Sequence, residues 1–140
     1  MEDTFDLNRF VSAQAGVYPQ VLAELRAESK RSHWIWFIFP QMKGLGHSPQ
    51  SEFYGIGSLE EAAAYLKHPV LGPRLEECTI LVNQVAGRTI NQIMGYPDDL
   101  KFRSSMTLFA RAAGEHSVFR DALKKYFGGE PDSVTLDLLH

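Results

Sequence analysis

Residues 33–41 read His-Trp-Ile-Trp-Phe-Ile-Phe-Pro-Gln, and the fold class turns on whether they form a strand or a helix. The stretch holds both tryptophans and two of the nine phenylalanines of the chain. Between His33 and Pro40 the only polar side-chain groups are the indole N–H groups. Aromatic and β-branched residues suit a strand. A single strand has no partner to complete its backbone hydrogen bonds, and nothing else in the sequence alternates with period two. The flanking segments are helical in pattern, so the expectation is a core helix over residues 33–39, stopped by Pro40.

Outward from this run, caps punctuate the chain. Asp6 is placed to cap Leu7-Asn8-Arg9-Phe10-Val11, and Pro19 suits the first turn of a second helix. Ser58-Leu-Glu-Glu61 and Thr89-Ile-Asn-Gln92 both have the spacing of a capping box. From Val70 to Ala86 the residues Leu71, Leu75, Cys78 and Val82 recur on one helical stripe, with Gly87 as its expected stop. Asp98-Asp99 opens a long helix with acidic residues in its first turn, which the helix dipole favours. Its core stripe is Phe102, Met106, Phe109 and Ala113. Phe119, Leu123 and Phe127 form another stripe, closed by Gly128-Gly129, and Asp132 caps the last helix. The reading is all-α: one helical domain over residues 1–140, a bundle of about six to eight helices.

Composition narrows the function classes. The chain has 140 residues, 44% apolar and 22% charged, with a net charge of −3, which suits an ordinary globular protein. Its basic residues are scattered instead of gathered on a face, so no nucleic-acid partner is expected. No apolar run reaches membrane-span length, and the acidic N-terminus lacks the order of a signal peptide. The one cysteine cannot form an internal disulfide; with its position on the core stripe this suggests a reducing, cytoplasmic setting. His33, His47, His68, His116 and His140 show no metal-ligand spacing, so no metal and no cofactor are expected.

The polar residues cluster just after the aromatic run. Pro-Gln-Met-Lys-Gly-Leu-Gly-His-Ser-Pro, residues 40–49, is a glycine-rich turn entering a helix capped by Ser48. Exposed amides at such a start attract anions, and Lys43 and His47 stand beside them. GLG lacks the spacing of a phosphate-binding fingerprint, and an ordinary irregular connection between helices is the simpler reading of it. On the long helix, Lys101, Ser104 and Ser105 share one face. That face could meet a carboxylate or phosphate, or be simply solvated. Neither serine sits in a nucleophile motif. An enzyme would draw its acid or base from His33, His47 or a nearby carboxylate. Glu60-Glu61 and Glu76-Glu77 read as solvent-facing.

Three stretches carry a resemblance: His-Trp-x-Trp-Phe-x-Phe-Pro-Gln at 33–41, Gly-Leu-Gly-x-Ser at 44–48, and Lys-Phe-x-Ser-Ser-Met-Thr-Leu-Phe at 101–109. Together they are similar to a bacterial and fungal family of unknown function whose members often bear the label "calpastatin". The resemblance spans roughly residues 5–140 and implies an all-helical fold without a known activity. Calpain inhibitors of that name are disordered and repetitive. This chain is aromatic-rich and unrepeated, so the label does not fit it.

The functional expectation is a site for a small anionic or nucleotide-like ligand, with an aromatic wall from Trp34 or Trp36. His33, Gln41, Lys43, His47, Ser48, Lys101 and Ser105 would form its polar rim. The alternative is an interaction module or homodimer in which these residues serve as core and caps.

Overall fold

Capping chemistry sets most of the helix starts. The computed structural model describes residues 3–114 and 116–139. These form ten helices: α1 (Asn8–Gln14), α2 (Tyr18–Arg26), α3 (Ile35–Ile38), α4 (Pro49–Phe53), α5 (Leu59–Lys67), α6 (Leu71–Asn83), α7 (Ile90–Met94), α8 (Asp98–Ala113), α9 (Val118–Phe127) and α10 (Ser133–Leu138). The all-α expectation holds. The count exceeds six to eight because α3, α4, α7 and α10 are short pieces of four to six residues, the last three of them separately capped.

Ser48, Ser58, Thr89, Ser117 and Asp132 each accept a hydrogen bond from the amide three residues on. The Thr89 box is complete, with Gln92 reaching back to the Thr89 amide at 2.9 Å. The Ser58 box is not. Glu61 bypasses the cap to accept from the Gly57 amide at 3.0 Å and from Arg9 of α1 at 2.7 Å. That pairing draws Glu61 inside, against the solvent-facing expectation. At α1 the expected cap also moves. Asp6 adopts a left-handed backbone with φ 53°, and Asp3 accepts from the Leu7 and Asn8 amides at 2.7 and 2.8 Å instead. These two amides hold the Asp3 carboxyl below its ordinary range. Helix α6 stops at Asn83, before the expected Ala86, and Gly87 (φ 75°) turns the chain further on.

The aromatic run is helical for one turn only. Trp34 leads into Ile35–Ile38, and Met42 then pairs with Ile56 in an isolated parallel bridge. Of the aromatics, Trp34 and Phe39 are buried, while Trp36 and Phe37 are half-buried against the core.

Helix α8 is the axis of the bundle, touching α3, α5, α7, α9 and α10. Every residue from Ser104 to Ala110 is buried, so the expected solvated face does not exist. On a helix surrounded in this way two of the three hydroxyls turn back onto its own carbonyls, while Ser105 Oγ has no partner among the described residues. Ser104 donates to Leu100 O and Thr107 to Arg103 O. Ala113, placed on the core stripe by its spacing, is exposed at the end of α8. Around Phe109 the rings of Tyr65 and Phe119 lie 5.3 and 5.8 Å away. At Gly72 a β-carbon would run into the Leu66 carbonyl, so glycine lets α6 start hard against α5.

Cys78 is fully buried on α6. Burial pushes its thiol up to about 12, although a contact to the Tyr18 hydroxyl works the other way. Only about one molecule in ten thousand then carries the thiolate at pH 8. Native protein should therefore resist a disulfide-exchange reagent at pH 8 and release one equivalent only after guanidinium unfolding. Rapid titration in buffer would contradict this packing.

Candidate functional site

The residues between α2 and α3 are held by one carboxylate. Glu24, 6% exposed, accepts from the Arg31 and Ser32 amides at 2.7 and 2.9 Å. It also accepts from the Ser32 hydroxyl at 2.6 Å, Gln20 Nε2 at 3.0 Å and Trp34 Nε1 at 3.0 Å. Burial opposes its charge, but the donors of Ser32, Arg31 and Gln20 outweigh burial and bring the carboxyl down to about 2. Trp34 is thereby fixed as a core residue with its N–H satisfied.

From this strap a chain of charge leads to α8. Lys30 Nζ lies 4.9 Å from the centre of the Trp34 ring and 2.6 Å from Asp98 Oδ2. Asp98 Oδ1 is 3.8 Å from Lys101 Nζ, which stands 4.7 Å above the Trp36 ring. Trp36 is the junction. One face of its indole meets the Lys101 ammonium. The side chain also walls a small cavity of about 10 Å³ with Gln41, Gly46, Ser51 and Tyr54. That is room for roughly one water-sized group. The cavity is framed by backbone: Ile56 N donates to Gln41 O at 2.9 Å and Lys43 N to Ile56 O at 2.8 Å. Ser51 also joins Ser48 hydroxyl to hydroxyl at 2.9 Å.

Trp36 Nε1 is buried and has no hydrogen-bond acceptor among the described residues. Its counterpart Trp34 has one. An unsatisfied buried donor costs about 1–3 kcal/mol. Ser105 Oγ and Asn83 Oδ1 are also buried without partners.

The sequence-picked residues therefore separate into groups. Trp36, Gln41 and Lys101 meet around one indole, and Ser48 joins them through Ser51. His33 lies elsewhere, in a groove with Gly16, Val17 and Gln20. Trp34 and Ser105 are enclosed in the core. Lys43 and His47 project from the turn into solvent. His33 and His47 occupy different surfaces, and His140 lies outside the described residues. Sequence reasoning passed over Glu24, Lys30, Asp98 and Ser51. Of these only Asp98 carried a sequence signal, as a favourable first-turn acid.

A model of a protein family of unknown function matches residues 4–139. The chain belongs to that family, DUF1810. The conserved hypothetical protein Rv1873 from Mycobacterium tuberculosis, known from a crystal structure at 1.38 Å, is 62% identical to it. The match covers 98% of each chain with a TM-score of 0.96. A search of curated proteins returns no match. Among the described residues, no helix is long and apolar enough to cross a membrane.

Proposed function

We propose that this chain is a cytoplasmic, single-domain protein that binds a small anionic ligand at the Trp36 rim. A ligand oxygen, from a carboxylate or from the phosphate of a nucleotide-like molecule, accepts from Trp36 Nε1 and places its charge against Lys101. The observation that carries this reading is the buried indole N–H without an acceptor among the described residues, in a ring whose centre lies 4.7 Å from an ammonium group. Gln41 and Ser51, across the same cavity, add neutral donors. The cavity takes one oxygen-sized group, so the remainder of the ligand lies outside it. Burial of the lone thiol and one core cluster spanning α1 to α9 support the compartment and the single domain.

The two indole N–H resonances of the protein make the test internal. Titration with acetate, inorganic phosphate and adenosine monophosphate should move the Trp36 signal and leave Trp34, bound to Glu24, in place. Trp36→Phe keeps a ring under Lys101 but removes the donor, and should abolish binding while holding or raising the melting temperature. Lys101→Ala should also abolish binding. It should change stability by only about 0.5–1 kcal/mol, since its ion pair is partly exposed and the cation–π contact is modest. A motionless Trp36 signal with all three probes would rule the reading out. So would a tightly held water as the permanent acceptor of Trp36 Nε1. An interaction module would then replace it, with exposed Tyr96 and Leu100 (77% and 50%) as the first surface to probe for self-association.

A further inference from the structure

A second cleft opens where α8 ends, α9 begins and α10 returns. It measures about 320 Å³, within the range of small-ligand sites of roughly 300–1,000 Å³. Two arginines line it, Arg111 from the last turn of α8 and Arg120 from the first turn of α9. Ser117 caps α9 by accepting from the Arg120 amide at 3.2 Å, which fixes the backbone from which Arg120 projects. Among the described residues neither guanidinium has a carboxylate partner or a side-chain hydrogen bond. Other arginines of the chain do: Arg9 binds Glu61, Arg74 binds Gln14, and Arg103 binds the Glu130 carbonyl. Two like charges at the wall of one cleft repel each other, and the repulsion is relieved when an anion sits between them. The rest of the wall is apolar: Ala110, Leu123, Pro131 and Leu136. Thr107, at the base, already donates to Arg103 O and accepts from Asp132 N. The arginines therefore supply the polar recognition.

We infer that this cleft binds a small organic acid whose anionic head is gripped by Arg111 and Arg120 and whose apolar body lies against Ala110, Leu123, Pro131 and Leu136. Guanidinium forks suit both carboxylate and phosphate oxygens. The apolar wall favours an acid with an aryl or branched alkyl group over a bare inorganic anion. The site is separate from the Trp36 rim: Lys101 and Arg111 stand ten residues apart on α8, about 15 Å along the helix axis.

The full chain, labelled with nitrogen-15, is titrated with phenylacetate, phenyl phosphate, inorganic phosphate and benzyl alcohol. The two aryl acids should shift the Gly114 and Leu136 amides, and whichever binds tighter identifies the head group. Inorganic phosphate and benzyl alcohol should each bind at least about tenfold more weakly, since each offers half of the recognition. Arg111→Gln and Arg120→Gln should each weaken the better acid by about tenfold or more, the loss expected for one charge-assisted hydrogen bond. Among the described residues neither side chain makes an ion pair or a side-chain hydrogen bond, so both variants should keep the wild-type melting temperature. Trp36→Phe should leave these shifts unchanged, which separates failure here from failure at the rim. The inference is overturned if neither aryl acid perturbs Gly114 or Leu136 at millimolar concentration. It is also overturned if the double arginine variant binds as the wild type does, or if inorganic phosphate alone matches the aryl acids.

Discussion

Glu24→Ala is expected to lower folding stability by about 3–5 kcal/mol, since several buried donors lose their acceptor together and each stranded one costs about 1–3 kcal/mol. Five donors converge on this carboxylate, and the substitution strands the Arg31 and Ser32 amides and the Trp34 indole at once. Denaturant unfolding followed by tryptophan fluorescence should report the loss, because Trp34 itself loses its anchor. Glu24→Gln separates charge from shape. Its amide oxygen still accepts, so the loss should be smaller, about 1–3 kcal/mol. The pH dependence has a definite sign. Glu24 titrates near 2 in the fold against an ordinary 4.5, so its contribution is complete above about 4.5 and declines as pH falls toward 2. Glu24→Gln should lack that part of the acid-side decline. An unchanged acid limb would mean that the carboxylate is not what holds the strap.

The second large effect lies at the centre of the bundle. Phe109→Ala should cost about 3–5 kcal/mol, the range for deleting a buried ring, because Tyr65 from α5 and Phe119 from α9 both rest on it. Phe109→Leu refills most of the space and should cost about 1–1.5 kcal/mol. Thermal unfolding by circular dichroism measures both. Near-equal melting temperatures for Phe109→Ala and the wild type would remove α8 from its position as the axis.

Helix starts were legible in the sequence at most of the caps that act within their own turn, Ser117 of α9 being the one passed over. Ser48, Ser58, Thr89 and Asp132 perform locally as their spacing says. The reading failed where a partner came from far along the chain. Nothing local announces that Arg9 will capture Glu61 from 52 residues away; at α1 the miss was local, Asp3 reaching the Leu7 and Asn8 amides in place of Asp6. The serines of α8 followed the same pattern. Lys101, Ser104 and Ser105 share a face by arithmetic, yet only packing by five other helices determines that the face is closed. The Trp36 rim was half legible. Lys101 and Ser48 were picked for their chemistry, but their meeting depends on the indole between them and on the Met42–Ile56 bridge, a long-range pairing with no sequence signal. The paired arginines of the second cleft were not legible at all, since their convergence depends on how α9 crosses α8.

The Lys30–Asp98–Lys101 contacts have an electrostatic consequence. At neutral pH two ammonium groups share one carboxylate, so a surplus positive charge resides beside Trp36 on a chain whose net charge is −3. The inner lysine is tightly held and only 4% exposed, whereas the outer one is looser and 24% exposed. If an anion recruits Lys101, Asp98 stays neutralised by Lys30 and the strap above α8 is undisturbed. Lys101 is therefore free to change partners without loosening the fold. Its pull fades within about 8 Å at physiological ionic strength, so it acts as a latch on a ligand already at the rim and not as a long-range attractor.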